Sequence, residues 1–132
     1  SDGVALVIDY GHVRQGLGQT LQAVAGHSYT DPLRSPGEAD LTAHVDFGTL
    51  ANSAEIIGGR IHGPLSQRDF LHRLGIDKRA AMLKSQALPD KTAEIDSALA
   101  RLTETGPKGM GELFKVLAIA DPKFGVLPAF EK

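Results

Sequence analysis

The run Val4-Ala5-Leu6-Val7-Ile8, followed at once by Asp9-Tyr10-Gly11, restricts the fold more than any other stretch. Consecutive aliphatic residues without alternation read as a strand buried on both faces, the pattern of a parallel or mixed sheet. Such a strand needs partners beside it and cover above and below. In open α/β sheets, ligands bind outside the carboxyl ends of the strands. A carboxylate, a phenol and a glycine at this end therefore mark the border of a cleft. A strand that merely turns in solvent, with Asp9 bonding local amides, would carry the same residues.

The rest of the chain bounds the possibilities. Its 132 residues are enough for one domain and one core. Apolar residues make up 42% and charged residues 23%, with mean hydropathy −0.10, a globular balance. No apolar run approaches the ~20 residues that span a bilayer. The net charge of −2 gives no broad basic field for nucleic acid. With no Trp and 5% aromatics, base-stacking platforms are not expected. With no Cys, disulfides and thiolate metal sites are excluded within these residues. The chain opens on SDGVALV, with neither an initiator Met nor a signal-type segment. The expectation is that strands upstream complete the sheet.

Turn and cap chemistry divides the remainder. Gln19 to Val24 alternates polar and apolar residues, as a short edge strand does. Asp31 to Asp40 holds two prolines and a glycine and reads as loop. Asp46 is placed to cap a helix with Phe47, Leu50, Ala51, Ala54 and Ile57 on one face, ended by Gly58-Gly59. Arg60 to Gly63 reads as a strand, and Ser66 with Asp69 has capping-box spacing before Phe70, Leu71 and Leu74. Asp77 is expected to cap a helix over 78–87, and Ile95, Leu99 and Leu102 stripe a further helix. Gly106 to Gly109 reads as a turn, Leu113 to Ala120 as a second buried strand, and the tail from Pro122 as loosely packed. Strands alternating with helices predict an α/β fold.

Two groups of residues carry candidate chemistry. The first is Asp9, Tyr10 and Gly11, where Tyr10 could stack or donate and Gly11 would permit close approach. The second is Glu38, Asp40, His44 and Asp46 within the stretch 37–47. Imidazoles titrate near neutrality, so His44 is a candidate base. Carboxylates and imidazole also suit metals, but no recognised ligand spacing is present and no metal is expected. The plainer reading is Asp46 as a helix cap and Glu38 and Asp40 as solvated loop charges. His12 and His27 lie on the loop side, and His62 and His72 are expected at the surface or on a helix flank. The glycines of GHVRQGLGQT have the wrong spacing for a phosphate loop.

Four stretches in one order carry a resemblance: VALVIDYG, then DPL and PGEADLTAHVDF, then GP, Gln67, DFL and LGI, then MGELFKVLAI. Together they resemble the C-terminal half of the MidA family of S-adenosylmethionine-dependent methyltransferases, relatives of the mitochondrial complex I assembly arginine methyltransferase. The resemblance implies the C-terminal part of a class I, Rossmann-like domain: a doubly wound sheet with an antiparallel last strand. It makes residues 1–132 part of a single domain, with 11–45 an inserted substrate-side excursion. It implies methyl transfer from S-adenosylmethionine to a protein arginine, on a complex I subunit for the mitochondrial member. The family's glycine-rich cofactor loop and ribose-binding acid have no counterpart in this chain, so no cofactor-binding residue is assigned and the chain alone is expected to be inactive. Asp40, His44 and Asp46 are the expected catalytic residues, and Asp9, Tyr10, Gly11 and Glu38 the expected substrate-binding ones. The expected location is the bacterial cytoplasm, or the mitochondrion in a eukaryote. Two other readings stand beside this one: a non-catalytic assembly module that docks a partner through 11–37, and a metal-dependent hydrolase built on His44.

Overall fold

The computed structural model describes residues 3–13, 20–26, 28–34, 36–106 and 109–131. The chain runs β1 (Val4–His12), β2 (Gln22–Ala25), β3 (Ser28–Thr30), β4 (Asp40–Thr42) and β5 (Val45–Asp46), then α1 (Phe47–Ile56), β6 (Arg60–Ser66), α2 (Gln67–Arg73), α3 (Ile76–Gln86), α4 (Pro89–Thr103) and β7 (Phe114–Ala120). The main sheet has the order β5-β1-β7-β6. The last strand, β7, is antiparallel to both β1 and β6, with Val7 opposite Leu117 and His62 opposite Ala118. It lies between two mutually parallel strands, so the α/β expectation with an antiparallel final strand holds.

Side-chain alternation sends the two faces of β7 to different helices. On one face, Val116 meets Phe70 of α2 and Ala129 of the tail, with Leu65, Leu71 and Phe130 packed around them. On the other, the turn between α1 and β6 lies so close that a methyl on Gly59 would come within 3.1 Å of Ile119. Val116, Leu117 and Ala118 are fully buried. Burying a Val or Leu side chain contributes roughly 1.5–3 kcal/mol, so β7 and its two flanking layers form the energetic centre.

Local chemistry explains most boundaries. Asp46 caps α1 by accepting from the Thr49 amide at 2.9 Å. Gly58, at φ +87°, ends it in the left-handed region, its N–H donating to the Glu55 carbonyl. Ser66 caps α2 through the Asp69 amide. Pro89 occupies the first turn of α4, where its missing N–H costs nothing.

Several expectations are corrected. Val4–Ile8 is not buried on both faces: Val4, Leu6 and Ile8 are 45%, 50% and 46% exposed. The reason is one-sided company, since β7 pairs along the whole strand while β5 reaches only Gly11 and His12. Ile57 is not on the buried face of α1 but is the exposed C-cap residue. Gln22–Ala25 is not an edge but the centre of a separate three-stranded sheet, β3-β2-β4; Gln19 lies outside the described residues. Asp77 does not cap α3. Gly75 stands at that position, and Asp77 sits in the first turn, 2.6 Å from His72 Nδ1.

The tail is anchored rather than loose. Arg60 donates to the Phe124 carbonyl, Arg73 donates to the carbonyls of Ala129 and Glu131, and the Phe130 ring packs against Phe70. Phe130 also covers His62, which is buried with its Nε2 unpartnered rather than displayed at the surface. His62 shares a sheet face with Ala118, and that face is where the tail docks.

Candidate functional site at the carboxyl end of β1

Strand β1 carries Tyr10 to the end of the sheet opposite Phe114, the first residue of β7. The two rings meet edge to face with centroids 5.7 Å apart. His44, in the short link between β4 and β5, also packs against Tyr10, edge to face with centroids 5.8 Å apart. The result is a row His44-Tyr10-Phe114 of three half-buried rings. Rings of this kind offer flat, weakly polar faces to a planar cation. Phe114 was not among the candidates read from the sequence. Its signal is the strand register, which no local pattern reveals.

The neighbouring candidates are arranged differently. Asp9 turns one carboxylate oxygen onto the Tyr10 amide at 2.8 Å and stands opposite Lys115. Gly11 is buried. A methyl group there would lie 2.2 Å from the Val45 carbonyl oxygen and 2.9 Å from the Phe47 ring. The glycine is needed for α1 and β5 to close on β1, and it leaves no room for a ligand to approach its backbone. Asp46 faces His12 across the β1–β5 pairing. Its two carboxylate oxygens accept from the amide and the hydroxyl of Thr49 at 2.9 and 2.8 Å. These hydrogen bonds, with a smaller contribution from His12, hold its pKa below the ordinary aspartate value of 3.8.

Glu38 and Asp40 are exposed and stand on the arm that leaves β1 and returns at β5. Asp40 pairs with Val24 in the small sheet. Tyr10 and His44 thus come together, Asp46 joins them through β5, and the two arm carboxylates stand apart. His27 lies outside the described residues. Among the described residues no three His, Asp or Glu side chains converge on a possible metal ion.

Cavities of about 500 and 420 Å³ open at the other end of the sheet. One is lined by Val4, Gly58, Ile119 and Pro122, the other by Arg60, His62, Val126 and Phe130. Both sit at the amino ends of β1 and β6, away from the rings. An adenosyl cofactor needs an enclosing pocket and acceptors for its ribose hydroxyls. At the carboxyl end of β1, one oxygen of Asp9 bonds the Tyr10 amide, Asp46 is committed to Thr49, and Gly11 is sealed beneath Phe47. The residues present do not by themselves fit that group.

Residues 1–65 match the profile of a family described as "Putative S-adenosyl-L-methionine-dependent methyltransferase". The protein arginine methyltransferase NDUFAF7 homolog, mitochondrial, of Drosophila melanogaster is 41% identical over 119 residues, 89% of this chain and 26% of that protein. The protein arginine methyltransferase NDUFAF7 of Homo sapiens is 37% identical over 120 residues, again 89% of this chain and 26% of the relative. The chain thus spans about a quarter of the length of the curated relatives it matches. A crystal structure of an uncharacterised Burkholderia thailandensis protein superposes with TM-score 0.83 at 32% identity, covering 100% of this chain and 36% of that one. A second Burkholderia thailandensis structure, bound to S-adenosyl-homocysteine, superposes with TM-score 0.81 at 32% identity over 98% of this chain and 35% of that one. The β5-β1-β7-β6 sheet, the ordered motifs and these relatives agree: residues 1–65 match this family of putative S-adenosyl-L-methionine-dependent methyltransferases, and the chain is similar to these relatives over most of its own length.

Proposed function

We propose that this chain forms the acceptor-side part of an S-adenosylmethionine-dependent protein arginine methyltransferase. The observation that carries the reading is the fold match to a relative that holds S-adenosyl-homocysteine, the by-product of methyl donation. The arginine specificity follows the relatives of Drosophila melanogaster and Homo sapiens named as protein arginine methyltransferases. The finer reading is that the substrate is a respiratory complex I subunit. On this reading the protein works in the mitochondrion of a eukaryote or the cytoplasm of a bacterium.

Within that function, this chain positions the acceptor. The His44-Tyr10-Phe114 rings stand edge to face, so a guanidinium stacks on the face of one ring while its neighbours border it, and orientation of this kind supplies much of the rate in group transfer. His44 offers a ring nitrogen for the proton that the acceptor must lose. Asp9 and Tyr10 border the acceptor, and Asp46 fixes the β5–α1 corner that presents His44. Glu38 and Asp40 belong to substrate recognition on the arm. Gly11 acts through packing rather than contact.

The test is methyl transfer from labelled S-adenosylmethionine by the protein encoded in the whole reading frame, with arginine methylation read by mass spectrometry. His44→Ala and Tyr10→Leu should each lower kcat at least tenfold while cofactor binding stays intact. If the protein neither binds the cofactor nor methylates arginine, the reading is wrong and a methyltransferase-like assembly module takes its place.

A further inference from the structure

The small sheet has a property that the reaction does not require. In its register, Val24 of β2 stands directly opposite Tyr29 of β3 on one side and Asp40 of β4 on the other. Directly paired residues point to the same face. Tyr29, Val24 and Asp40 therefore form one row across the sheet: an aromatic ring, an aliphatic floor and a carboxylate. Strands lie about 4.8 Å apart, which puts the outer two backbones of the row about 10 Å from each other. That spacing admits one planar cation between ring and carboxylate. Tyr29 is 78% exposed and Asp40 is exposed as well. The next row, Thr30-Ala23-Leu41, points to the opposite face, where Ala23 is buried.

The charge of the arm selects the occupant. Among its described residues between 20 and 42, the carboxylates are Asp31, Glu38 and Asp40, against the single guanidinium of Arg34. A carboxylate binds a guanidinium through two parallel hydrogen bonds, and an aromatic face stacks on its plane; a lysine ammonium gains less from either. The arm also leaves and rejoins the main sheet beside Tyr10, its return passing through His44. The row is thus joined to the ring cluster through the β4–β5 link that carries His44.

We infer that the Tyr29-Val24-Asp40 face is a docking site for a substrate segment, holding an arginine other than the one that is methylated. The exposure of the row argues for docking and against chemistry, because group transfer proceeds where water is excluded. This inference rests on the arginine methyltransferase reading and assigns Asp40 to recognition rather than to proton transfer.

The experiment is nitrogen-15 NMR of the protein encoded in the whole reading frame, titrated without methyl donor with an acetylated, amidated five-residue peptide carrying one central arginine, and with its lysine counterpart. The arginine peptide should shift the amides of Val24, Tyr29 and Asp40 and bind at least about threefold more tightly than the lysine peptide. Asp40→Asn and Tyr29→Leu should each weaken the arginine peptide by roughly threefold to tenfold, while Tyr29→Phe keeps the ring and the affinity. Retained shifts at Ala23 and Leu41 show that a variant's sheet is intact, and Tyr29→Phe and Asp40→Asn preserve side-chain volume. Equal binding of the two peptides, shifts confined to other residues, or no response to either substitution would each overturn the inference. No methyl donor is present, so failure here leaves the activity test standing. Peptide binding at the row without any methyl transfer by the whole protein would refute the activity and leave a docking surface.

Discussion

Strands β1 and β7 lie side by side along seven residue pairs, from Val4 beside Ala120 to Tyr10 beside Phe114, and have nearly the same composition. Yet β7 buries Val116, Leu117 and Ala118 completely, while β1 leaves Val4, Leu6 and Ile8 about half exposed. The difference is in their neighbours. β7 has a strand on each side, α1 on one face and α2 with the tail on the other. β1 has one full-length partner, and α2 and the tail do not reach across to its even-numbered residues. An apolar run therefore states what a strand could bury, and the surroundings decide what it does bury.

The most forceful test is a pair of alanines. Leu117→Ala removes a side chain with no exposed surface and should cost about 2–5 kcal/mol in denaturant unfolding. Leu6→Ala, at 50% exposure, should cost about 1 kcal/mol, since half of its surface already meets water. Equal losses would break the comparison. Making both changes at the aligned positions of a longer relative sharpens it: a Leu6 cost that rises to the Leu117 value would show that further chain covers this face.

Gly11 comes next, because it marks where β1 does acquire a second neighbour. Gly11→Ala forces a methyl against the Val45 carbonyl and the Phe47 ring, and should destabilise the chain by about 1–3 kcal/mol. A glycine kept free for ligand approach would instead tolerate alanine in the ligand-free chain. Unchanged stability would therefore contradict the packing role.

His62 probes the well-covered side of the sheet. Its Nε2 is buried without a partner beneath Phe130, and an unmade hydrogen bond of that kind costs about 1–3 kcal/mol. His62→Phe keeps an aromatic ring and removes the orphaned atom, so the chain should hold its stability or gain about 1 kcal/mol. A loss above that size would mean the imidazole has a partner that the geometry does not display.

These particulars show what was legible in the sequence. The caps at Asp46 and Ser66 and the stop at Gly58 were readable because each depends on residues three or four apart. The α/β class was readable from the alternation of periods. The burial of His62 was not, because it is created by Phe130, far along the chain. The misreading of Asp77 has a local cause: Gly75 supplied the left-handed turn, and His72 drew the carboxylate backward. At the site, Asp9-Tyr10-Gly11 was found from its place at a strand end. The Tyr10-Phe114 contact and the Tyr29-Val24-Asp40 row depend on register, and register is fixed by long-range pairing.

The last and subtlest test lies at the corner where β5 joins β1. Both oxygens of Asp46 accept hydrogen bonds from Thr49, which together with His12 lowers its pKa below 3.8. A carboxyl group whose pKa is lower folded than unfolded stabilises the fold in full above the unfolded value. That contribution disappears as the pH falls through the folded value. Wild type should therefore lose stability more steeply than Asp46→Asn below about pH 3.8. Above that range the two should differ by a constant amount, with wild type the more stable. Asparagine still accepts from the Thr49 amide, so the helix start survives and the comparison isolates the charge. Parallel acid-unfolding profiles would show that the carboxylate is not coupled to folding. The β5–α1 corner would then owe its position to Gly11 and Phe47 alone, and His44 would be presented to Tyr10 by packing without help from the cap.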